Sequence, residues 1–279
     1  MVSLAGIVFD PAAGSFNLTG GSVSVSNAGI VNNSSLMPGQ GINFCNLALP
    51  GGRTIVSRGG CGQGQTGNLI SFAPGASLTL PSNVLTFNAG PLANGVNILN
   101  GNLTQSAGQG ITFTSTGLGG TQSYSTINLT GANVIPGSIV IQPGVAVFVQ
   151  SPGALGGGGA VTVQGASSGS GGALILQNGV NLTNAVTISG TGVANFNGQS
   201  GKNSGAVRGG SGVNGAAATD TVSGPITVSS NATTGAQIVA GGSNTPSMRR
   251  AIPSSRRSGC ATTRSPSGAS PRAVPIRST

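Results

Sequence analysis

Residues 126–192 read TINLTGANVIPGSIVIQPGVAVFVQSPGALGGGGAVTVQGASSGSGGALILQNGVNLTNAVTISGTG. Along this stretch, two apolar residues with a single residue between them recur at steps of about 8 to 14 residues. These pairs are Ile127/Leu129, Ile139/Ile141, Val147/Val149, Val161/Val163, Leu174/Leu176 and Val186/Ile188. Between them lie Gly, Asn, Ser and Pro, which end strands and favour turns. The pattern predicts short β-strands, evenly spaced and repeated, as in a stacked repeat protein.

The same alternation extends outward from this stretch. It is present in residues 16–31, 77–90 and 98–115, and again in residues 223–242, whereas residues 42–72 are less regular. Within residues 16–31, Gly or Asn separates the pairs Phe16/Leu18, Val23/Val25 and Ile30/Val31, which predicts three short strands. No window has apolar residues at helical spacing among good helix formers. We therefore predict that residues 1–245 form one all-β repeat region, a right-handed parallel β-helix (solenoid).

Composition supports a repeat region over other classes of protein. The chain has 279 residues, of which 51 are Gly, and only 5% are charged while 37% are hydrophobic. Disordered chains combine low hydrophobicity with high net charge, which is a poor fit to residues 1–245. No run of about 18 apolar residues occurs, so we expect no transmembrane helix. A stack of coils with uncharged polar residues on its surface fits both the low charge and the hydrophobic content.

The net charge of +9 belongs mostly to the C-terminal residues. Four basic and two acidic residues precede Pro246, giving +2, and seven arginines follow it. Residues 246–279 are rich in Arg, Ser, Pro and Ala and lack strand periodicity, so we predict that they form a disordered basic tail. Three interpretations stay open: an arm that binds nucleic acid or an anionic surface, a natural disordered terminus, or the product of a reading-frame slip. The lack of aromatic residues makes nucleic-acid binding a poor fit, and the abrupt loss of periodicity favours the slip.

The sequence offers little that could carry catalysis or bind a metal. The chain has no His, so Ser-His-Asp and Cys-His mechanisms lack their base. The matches to GxSxG at residues 165–169 and to GxGxxG at residues 62–67 lack the strand and helix that those motifs need. Asp10 and Asp220, the only two acids, are expected far apart. We therefore predict a protein that is not an enzyme, with no catalytic, cofactor-binding or metal-binding residues and no cofactor.

Three cysteines, Cys45, Cys61 and Cys260, are too few for a zinc site without His, and an odd number cannot close a disulfide framework. Cys45 and Cys61 could pair in an oxidising compartment. The tripeptide Asn-Leu-Thr recurs four times, in FNLTGG, GNLTQS, INLTGA and VNLTNA. In each copy we expect the Leu to point into the core and the Asn and Thr to face outward or to stack on neighbouring side chains. The tripeptides also match the sequon for N-glycosylation, although a polar end to a strand explains them without modification.

Residues 127–164 resemble the autotransporter-associated β-strand repeat. Leu129–Asn133 (LTGAN) match the opening of that repeat, and Gly153–Val163 (GALGGGGAVTV) match its closing element. Ile135–Gly137 depart from the Tyr-Thr-Gly that the family tends to have. Residues 174–198 and 205–242 resemble segments found between such repeats. The resemblance implies a right-handed parallel β-helix in the passenger of a bacterial surface protein, and it supplies no catalytic residues.

The expected function follows from the resemblance and from the absence of chemistry-bearing motifs. We expect a non-catalytic stalk, scaffold or adhesin passenger at the cell surface, with host or environmental surface ligands or glycans as partners. Nucleic acid is not expected as a partner, and no membrane span is expected in this chain. The alternative is a β-solenoid that binds glycans or surfaces through ladders of Thr, Asn and Ser. Residues 1–10 lack the features of a signal peptide, and the resemblance implies that full-length relatives add further repeats and an outer-membrane barrel. We therefore expect either that the chain is a fragment or that it shares only the repeat with that family.

Overall fold

The fold was analysed in a computed structural model of the chain. The structure describes sixteen segments, which are residues 1–10, 12–14, 16–33, 40–48, 54–57, 70–72, 77–80, 85–89, 96–99, 102–105, 110–115, 124–166, 170–196, 203–209, 218–229 and 235–240. Residues 246–279 lie outside these segments, so the predicted disorder of the C-terminal tail stays a prediction. The boundary at residue 245 likewise stays a prediction.

The described part of the chain is all-β, and no helix is among its named elements. In chain order the strands are β1 (Val2–Phe9), β2 (Asn17–Asn32), β3 (Gln40–Ala48), β4 (Thr54–Ser57), β5 (Ile70–Phe72), β6 (Ser77–Leu80), β7 (Leu85–Ala89), β8 (Val96–Leu99), β9 (Asn102–Gln105), β10 (Ile111–Ser115), β11 (Ser125–Leu129), β12 (Ile139–Ile141), β13 (Val145–Val149), β14 (Val161–Val163), β15 (Ala173–Leu176), β16 (Asn181–Leu182), β17 (Val186–Ile188), β18 (Val207–Gly209), β19 (Thr221–Val222), β20 (Ile226–Val228) and β21 (Ile238–Ala240).

In the part of the chain that the structure describes, no strand after β3 pairs with the next strand in sequence, and the pairings form two long series and two further pairs. The first series runs β4, β7, β10, β12, β14, β17 and β20. The second series runs β5, β8, β11, β13, β15, β18 and β21. A third set consists of β6 with β9, and of β16 with β19. Every one of these pairings is parallel, as expected where a long connection returns the chain to the same direction.

One column of apolar residues runs through nine strands in register, from β1 to β20. Its members are Ile7, Ile30, Ile55, Phe87, Phe113, Ile141, Val163, Ile188 and Val228. The interior members Ile30, Ile141 and Ile188 are each 0% exposed. Burial of a side chain of this size stabilises the folded state by about 1.5–3 kcal/mol. Six members of the column therefore belong to the hydrophobic core, namely Ile7, Ile30, Phe113, Ile141, Val163 and Ile188.

The length of chain between paired strands explains how this register is kept. Ile139 pairs with Val161, and Val161 pairs with Val186, so two successive intervals are of closely similar length. Each interval contains one strand of the second series, so the chain leaves the first series and returns to it one strand further along. The next interval, from Val186 to Ile226, is much longer, and it contains the looser stretch that the sequence indicated.

All six apolar pairs that decide the fold lie in strands, so the prediction of strands in residues 126–192 is confirmed. They fall in β11, β12, β13, β14, β15 and β17. In three of the four Asn-Leu-Thr tripeptides the Leu is buried as predicted, since Leu103 and Leu182 are both 2% exposed and Leu129 is 1% exposed. In the first copy, Leu18 is only partly buried against the core.

The N-terminal residues differ from the sequence prediction. Three separate strands were expected between Phe16 and Val31, but β2 is continuous over 16 residues. Gly20 and Gly29 adopt positive φ of 126° and 67° within it, so the glycines that indicated strand breaks bend the strand instead. As a result, β2 pairs with β1, β3 and β4 along its length.

Close approach of the backbone accounts for several glycines at the turns between strands. A Cβ on Gly159 would overlap the carbonyl oxygen of Gly137, and one on Gly224 would overlap that of Asn184. By contrast, a Cβ on Gly157 would meet nothing within 4 Å. Glycine is required where successive turns stack directly upon each other, which explains part of its high content. In the described residues, no helix is long and apolar enough to cross a membrane.

Candidate functional site

The most regular exposed feature is a column of threonines on the first series of strands, which we call the threonine column. Its register positions are Thr54, Thr86, Thr112, Val140, Thr162, Thr187 and Thr227. From Thr112 onward, each member of the column is next in sequence to a residue that faces the core. Because side chains alternate along a strand, each member points to the opposite face of the sheet. Thr112, Thr162 and Thr187 are partly exposed and Thr227 is exposed.

From Thr112 to Thr227, the threonine column presents uncharged methyl and hydroxyl groups at a constant interval. Adjacent strands lie about 4.8 Å apart, so neighbouring side chains in the column have the same spacing. At Val140 a methyl group takes the place of the threonine hydroxyl group, so the side chain has nearly the same shape as its neighbours in the column but lacks the hydroxyl. The column can therefore contact a repetitive, uncharged surface, and it has no group suited to acid or base chemistry.

A second apolar cluster lies on the outer side of the second series. Its buried members are Tyr124, Ala146, Ala173, Ile175, Val193 and Phe196, with Phe148 packed against them. The ring of Phe196 stacks at 5.8 Å from that of Tyr124 and at 6.3 Å from that of Phe148. The turn that follows β17 thus covers the outer face of β13 and β15 instead of leaving it to solvent.

Arg208 completes this cluster. Its guanidinium carbon lies 4.9 Å from the centre of the Phe196 ring, a distance suited to a cation–π contact. In register it lies between Ile175 and Val239, so no like charge is adjacent to it in the column. Partial burial lowers the pKa of Arg208 through desolvation. The guanidinium stays charged at neutral pH, and its contacts point to packing and not to ligand binding.

Two buried asparagines connect successive turns by hydrogen bonds. Asn133 accepts a hydrogen bond from the backbone N–H of Leu103 at 2.9 Å and donates one to the carbonyl of Ala154. Asn184 donates from Nδ2 to the carbonyls of Gly156 and Gly159, at 3.1 and 2.7 Å. Their partners are 21 to 30 residues away in the chain. Neither role follows from a local sequence pattern, although Asn133 is the last residue of the LTGAN match.

The two acids of the chain lie at opposite ends of the paired strands. Asp10 directly follows β1 and is exposed, while Asp220 directly precedes β19 and is 7% exposed. Eight pairing steps of about 4.8 Å connect Ile7 with Val228, so roughly 38 Å separates the two ends. Paired carboxylates that hydrolyse a glycosidic bond lie within about 10 Å of each other. Asp10 and Asp220 therefore cannot act as such a pair.

Asp220 instead has a role in the local structure. Its Oδ1 accepts hydrogen bonds from the backbone N–H of Gly179 at 2.9 Å and of Val180 at 3.0 Å. Asn178 and Gly179 adopt positive φ of 65° and 76°, which turns these N–H groups toward the carboxylate. Asp220 thus attaches the strands that follow the looser stretch to the turn before β16.

The remaining sequence candidates contribute no assembled site in the described residues. Cys45 lies in β3, while Cys61, Cys260 and the GxGxxG match at residues 62–67 fall outside the described segments. Of the GxSxG match at residues 165–169, only the first two residues are described. In the segments that the structure describes, no three His, Cys, Asp or Glu residues come together as a group able to hold a metal ion.

Comparisons with known proteins find no match for this chain among family models, curated proteins or solved structures. The resemblance of residues 127–164 to the autotransporter-associated β-strand repeat therefore stays a prediction.

Proposed function

We propose that the chain is a right-handed parallel β-helix that serves as a non-catalytic stalk or scaffold in an autotransporter-type surface protein. The observation that carries this proposal is the apolar column from Ile7 to Val228, in which nine strands pair in register and in parallel. Between β10 and β17 the chain visits the first and second series in turn and returns to the first at closely similar intervals. Such regular returns fit the winding of a chain around one axis. A rod of this kind spaces other modules apart with a simple repeated sequence.

A test of the rod is to change its length in whole coils. Residues 161–185 are one complete return, because Val161 and Val186 are register partners. Four additional tandem copies of residues 161–185 should lengthen the rod by about 19 Å, at about 4.8 Å per coil. The measurement is the maximum dimension from small-angle X-ray scattering, together with the far-UV circular dichroism of the protein.

A deletion out of phase provides the matched control. Removal of residues 161–185 deletes one coil and joins Ala160 to Val186, which leaves the register of the first series intact. Removal of only residues 161–172 would place β15 where β14 belongs. The proposal requires that the smaller deletion destabilise the protein more than the larger one. Equal tolerance of both deletions, or lengthening unrelated to the number of copies, would refute the coil.

A second function is favoured by the threonine column, namely binding of a glycan or another repetitive surface. In the described part of the first series, the column repeats a partly exposed polar group on consecutive strands. Substitution Thr162→Lys introduces a charged, longer side chain into its middle. Substitution Thr183→Lys is the matched control, since Thr183 is exposed but lies outside the column.

The assays are a glycan array and inhibition of ice recrystallisation. If the column binds either class of surface, Thr162→Lys abolishes the signal and Thr183→Lys preserves it. Absence of any signal from the unsubstituted protein leaves the stalk as the function. A signal that both substitutions leave unchanged would place binding elsewhere on the molecule and refute the role of the threonine column.

A further inference from the structure

The turn between β15 and β16 contains an Asn-Gly pair, the dipeptide in which asparagine loses its side-chain amide most readily. Asn178 and Gly179 are both exposed, and they adopt positive φ of 65° and 76°. Asparagine and aspartate both tolerate this conformation, because their short polar side chains hydrogen-bond locally. The turn can therefore keep its backbone conformation if the asparagine is converted to aspartate.

Deamidation at this pair needs only water. The backbone nitrogen of Gly179 gives up its proton and forms a bond to Cγ of Asn178, the Cγ–Nδ2 bond breaks, and Nδ2 leaves as ammonia. Water then opens the resulting cyclic imide at either of its two carbonyls, which gives aspartate or isoaspartate. Glycine has no side chain to hinder the attack, and its backbone turns freely. The rate therefore depends on how easily the Gly179 nitrogen loses its proton and turns toward Cγ.

A buried carboxylate holds that nitrogen. Asp220 is 7% exposed, and its Oδ1 accepts hydrogen bonds from the N–H groups of Gly179 at 2.9 Å and of Val180 at 3.0 Å. Loss of the Gly179 proton would leave a negative nitrogen at hydrogen-bond distance from the carboxylate, and like charges repel strongly where water is partly excluded. Rotation of the nitrogen toward Cγ would also break the hydrogen bond. Both effects oppose the attack.

The side chain of Asn178 is held as well. Its Nδ2 donates to the backbone carbonyl of Gln150, which directly follows β13, at 3.3 Å. This hydrogen bond is long and exposed, so it restrains the side chain less than Asp220 restrains the backbone nitrogen. The contact of Asp220 with Gly179 is therefore the stronger of the two restraints on the reaction.

We propose that Asn178 is a latent site of spontaneous deamidation and that Asp220 suppresses the reaction by holding the N–H of Gly179. Conversion to isoaspartate would insert a methylene group into the backbone just before Gly179 and displace this N–H from the carboxylate. The same contact thus protects the asparagine and attaches β19 to the turn, so both would be lost together. The inference needs only these contacts and does not depend on the stalk function.

The test is the rate of deamidation at residue 178 in the full chain at neutral pH, followed by mass spectrometry of proteolytic peptides. Asp220→Ala removes the acceptor, and loss of one hydrogen bond to a charged group corresponds to an acceleration of roughly 10- to 100-fold. Asp220→Asn keeps an accepting oxygen without the charge, so its rate should lie between those of Asp220→Ala and the unsubstituted protein. In urea, where the chains are unfolded, all three should react at the same rate.

General loosening of the fold needs a separate control. Asn184→Ala also removes two hydrogen bonds of a buried side chain, but it leaves the contact of Asp220 with Gly179 in place. Its deamidation rate at residue 178 should stay close to that of the unsubstituted protein. The Asn-Gly pairs at residues 94–95 and 100–101 serve as internal references in each digest. Circular dichroism checks the folding of every variant, and Asp220→Asn decides if Asp220→Ala does not fold.

Three outcomes would overturn the inference. The first is an equal rate in the unsubstituted protein and in the folded Asp220 variants, since the carboxylate would then not restrain the nitrogen. The second is a slower reaction in those variants, which would make the carboxylate a base that assists the attack. The third is equal acceleration by Asn184→Ala, which would assign the effect to the stability of the fold alone.

Discussion

Substitution Asn184→Ala tests whether the buried asparagines hold successive turns together. Asn184 is 6% exposed, and its Nδ2 donates to the carbonyls of Gly156 and Gly159. Alanine removes both hydrogen bonds and leaves two carbonyl oxygens without this donor. A hydrogen bond contributes about 1 kcal/mol, and a buried group left unsatisfied costs about 1–3 kcal/mol. We therefore expect the free energy of unfolding to fall by roughly 2–4 kcal/mol.

The assay is urea denaturation followed by far-UV circular dichroism, because the chain has no Trp and one Tyr. For a slope of about 2 kcal/mol per M, the loss shifts the midpoint by roughly 1–2 M. Asn181→Ala is the matched control: it makes the same substitution at a nearby exposed position, and should change stability by no more than about 0.5 kcal/mol.

An aspartate at position 184 has nearly the same shape as the asparagine but can carry a charge, so the pH dependence of stability provides a second test of the same hydrogen bonds. Asn184→Asp removes the donor and directs a negative oxygen at the two carbonyls, so at neutral pH it should destabilise at least as much as alanine. Acidification protonates the new carboxyl group and restores one donor, so the loss relative to the unsubstituted protein should shrink as the pH falls. If Asn184→Ala costs no more than Asn181→Ala, the hydrogen bonds do not hold the turns and the reasoning is refuted.

Three further substitutions probe the turns, the core and the buried acid. Gly159→Ala should cost about 1–3 kcal/mol in thermal or urea unfolding because its Cβ would overlap the carbonyl of Gly137, while Gly157→Ala, which points into open space, should be neutral within about 0.5 kcal/mol. Ile188→Ala should cost about 2–5 kcal/mol as a fully buried core residue, and Ile226→Ala should cost clearly less because its side chain is only partly buried; equal losses would contradict this dependence on burial. Asp220→Ala should lower the free energy of unfolding by roughly 2–4 kcal/mol, because two backbone N–H groups lose their acceptor. Asp220→Asn keeps an accepting oxygen and should lower it less. Hydrogen exchange at Gly179 and Val180 reports whether the loss of stability is local.

The strands of this chain could be predicted because they alternate at period two and are separated by strand-ending residues. Ile139/Ile141 and Val161/Val163 are such pairs, and both became strands. Glycine accounts for the main difference between the predicted and the observed strands, because a glycine in the sequence suggests a turn whatever its role in the structure. Gly20 and Gly29 bend one continuous strand, whereas Gly159 gives space to a neighbouring turn. Sequence alone does not distinguish a glycine that permits positive φ from one that permits close approach.

Contacts between residues far apart in the chain could not be predicted. Phe196 stacks on Tyr124, which lies several strands earlier in the chain. Asp220 likewise accepts from the N–H of Gly179, in a turn that precedes β16. Neither pair shares a local pattern, because each depends on which turn folds over which strand.

The pairing register of the strands could not be predicted either, because it also depends on contacts between residues far apart in the chain. Val161 and Val186 are register partners, and so are Val186 and Ile226, yet the second interval is much longer than the first. No constant spacing in the sequence therefore identifies the partner of Val186. The threonine column became visible only once the register was known.

In-register stacking also gives a physical reason for the low charge of residues 1–245. Equivalent side chains on adjacent strands lie about 4.8 Å apart, and two like charges at that distance repel by about 1 kcal/mol in water and by ~3.5 kcal/mol at an effective dielectric constant of 20. A charge repeated on every strand of a series would therefore oppose stacking, while Thr162 above Thr187 does not. Arg208 fits the same rule, because Ile175 and Val239 are its neighbours in register and Phe196 covers it. Uncharged columns therefore let adjacent strands of a series stack without this repulsion.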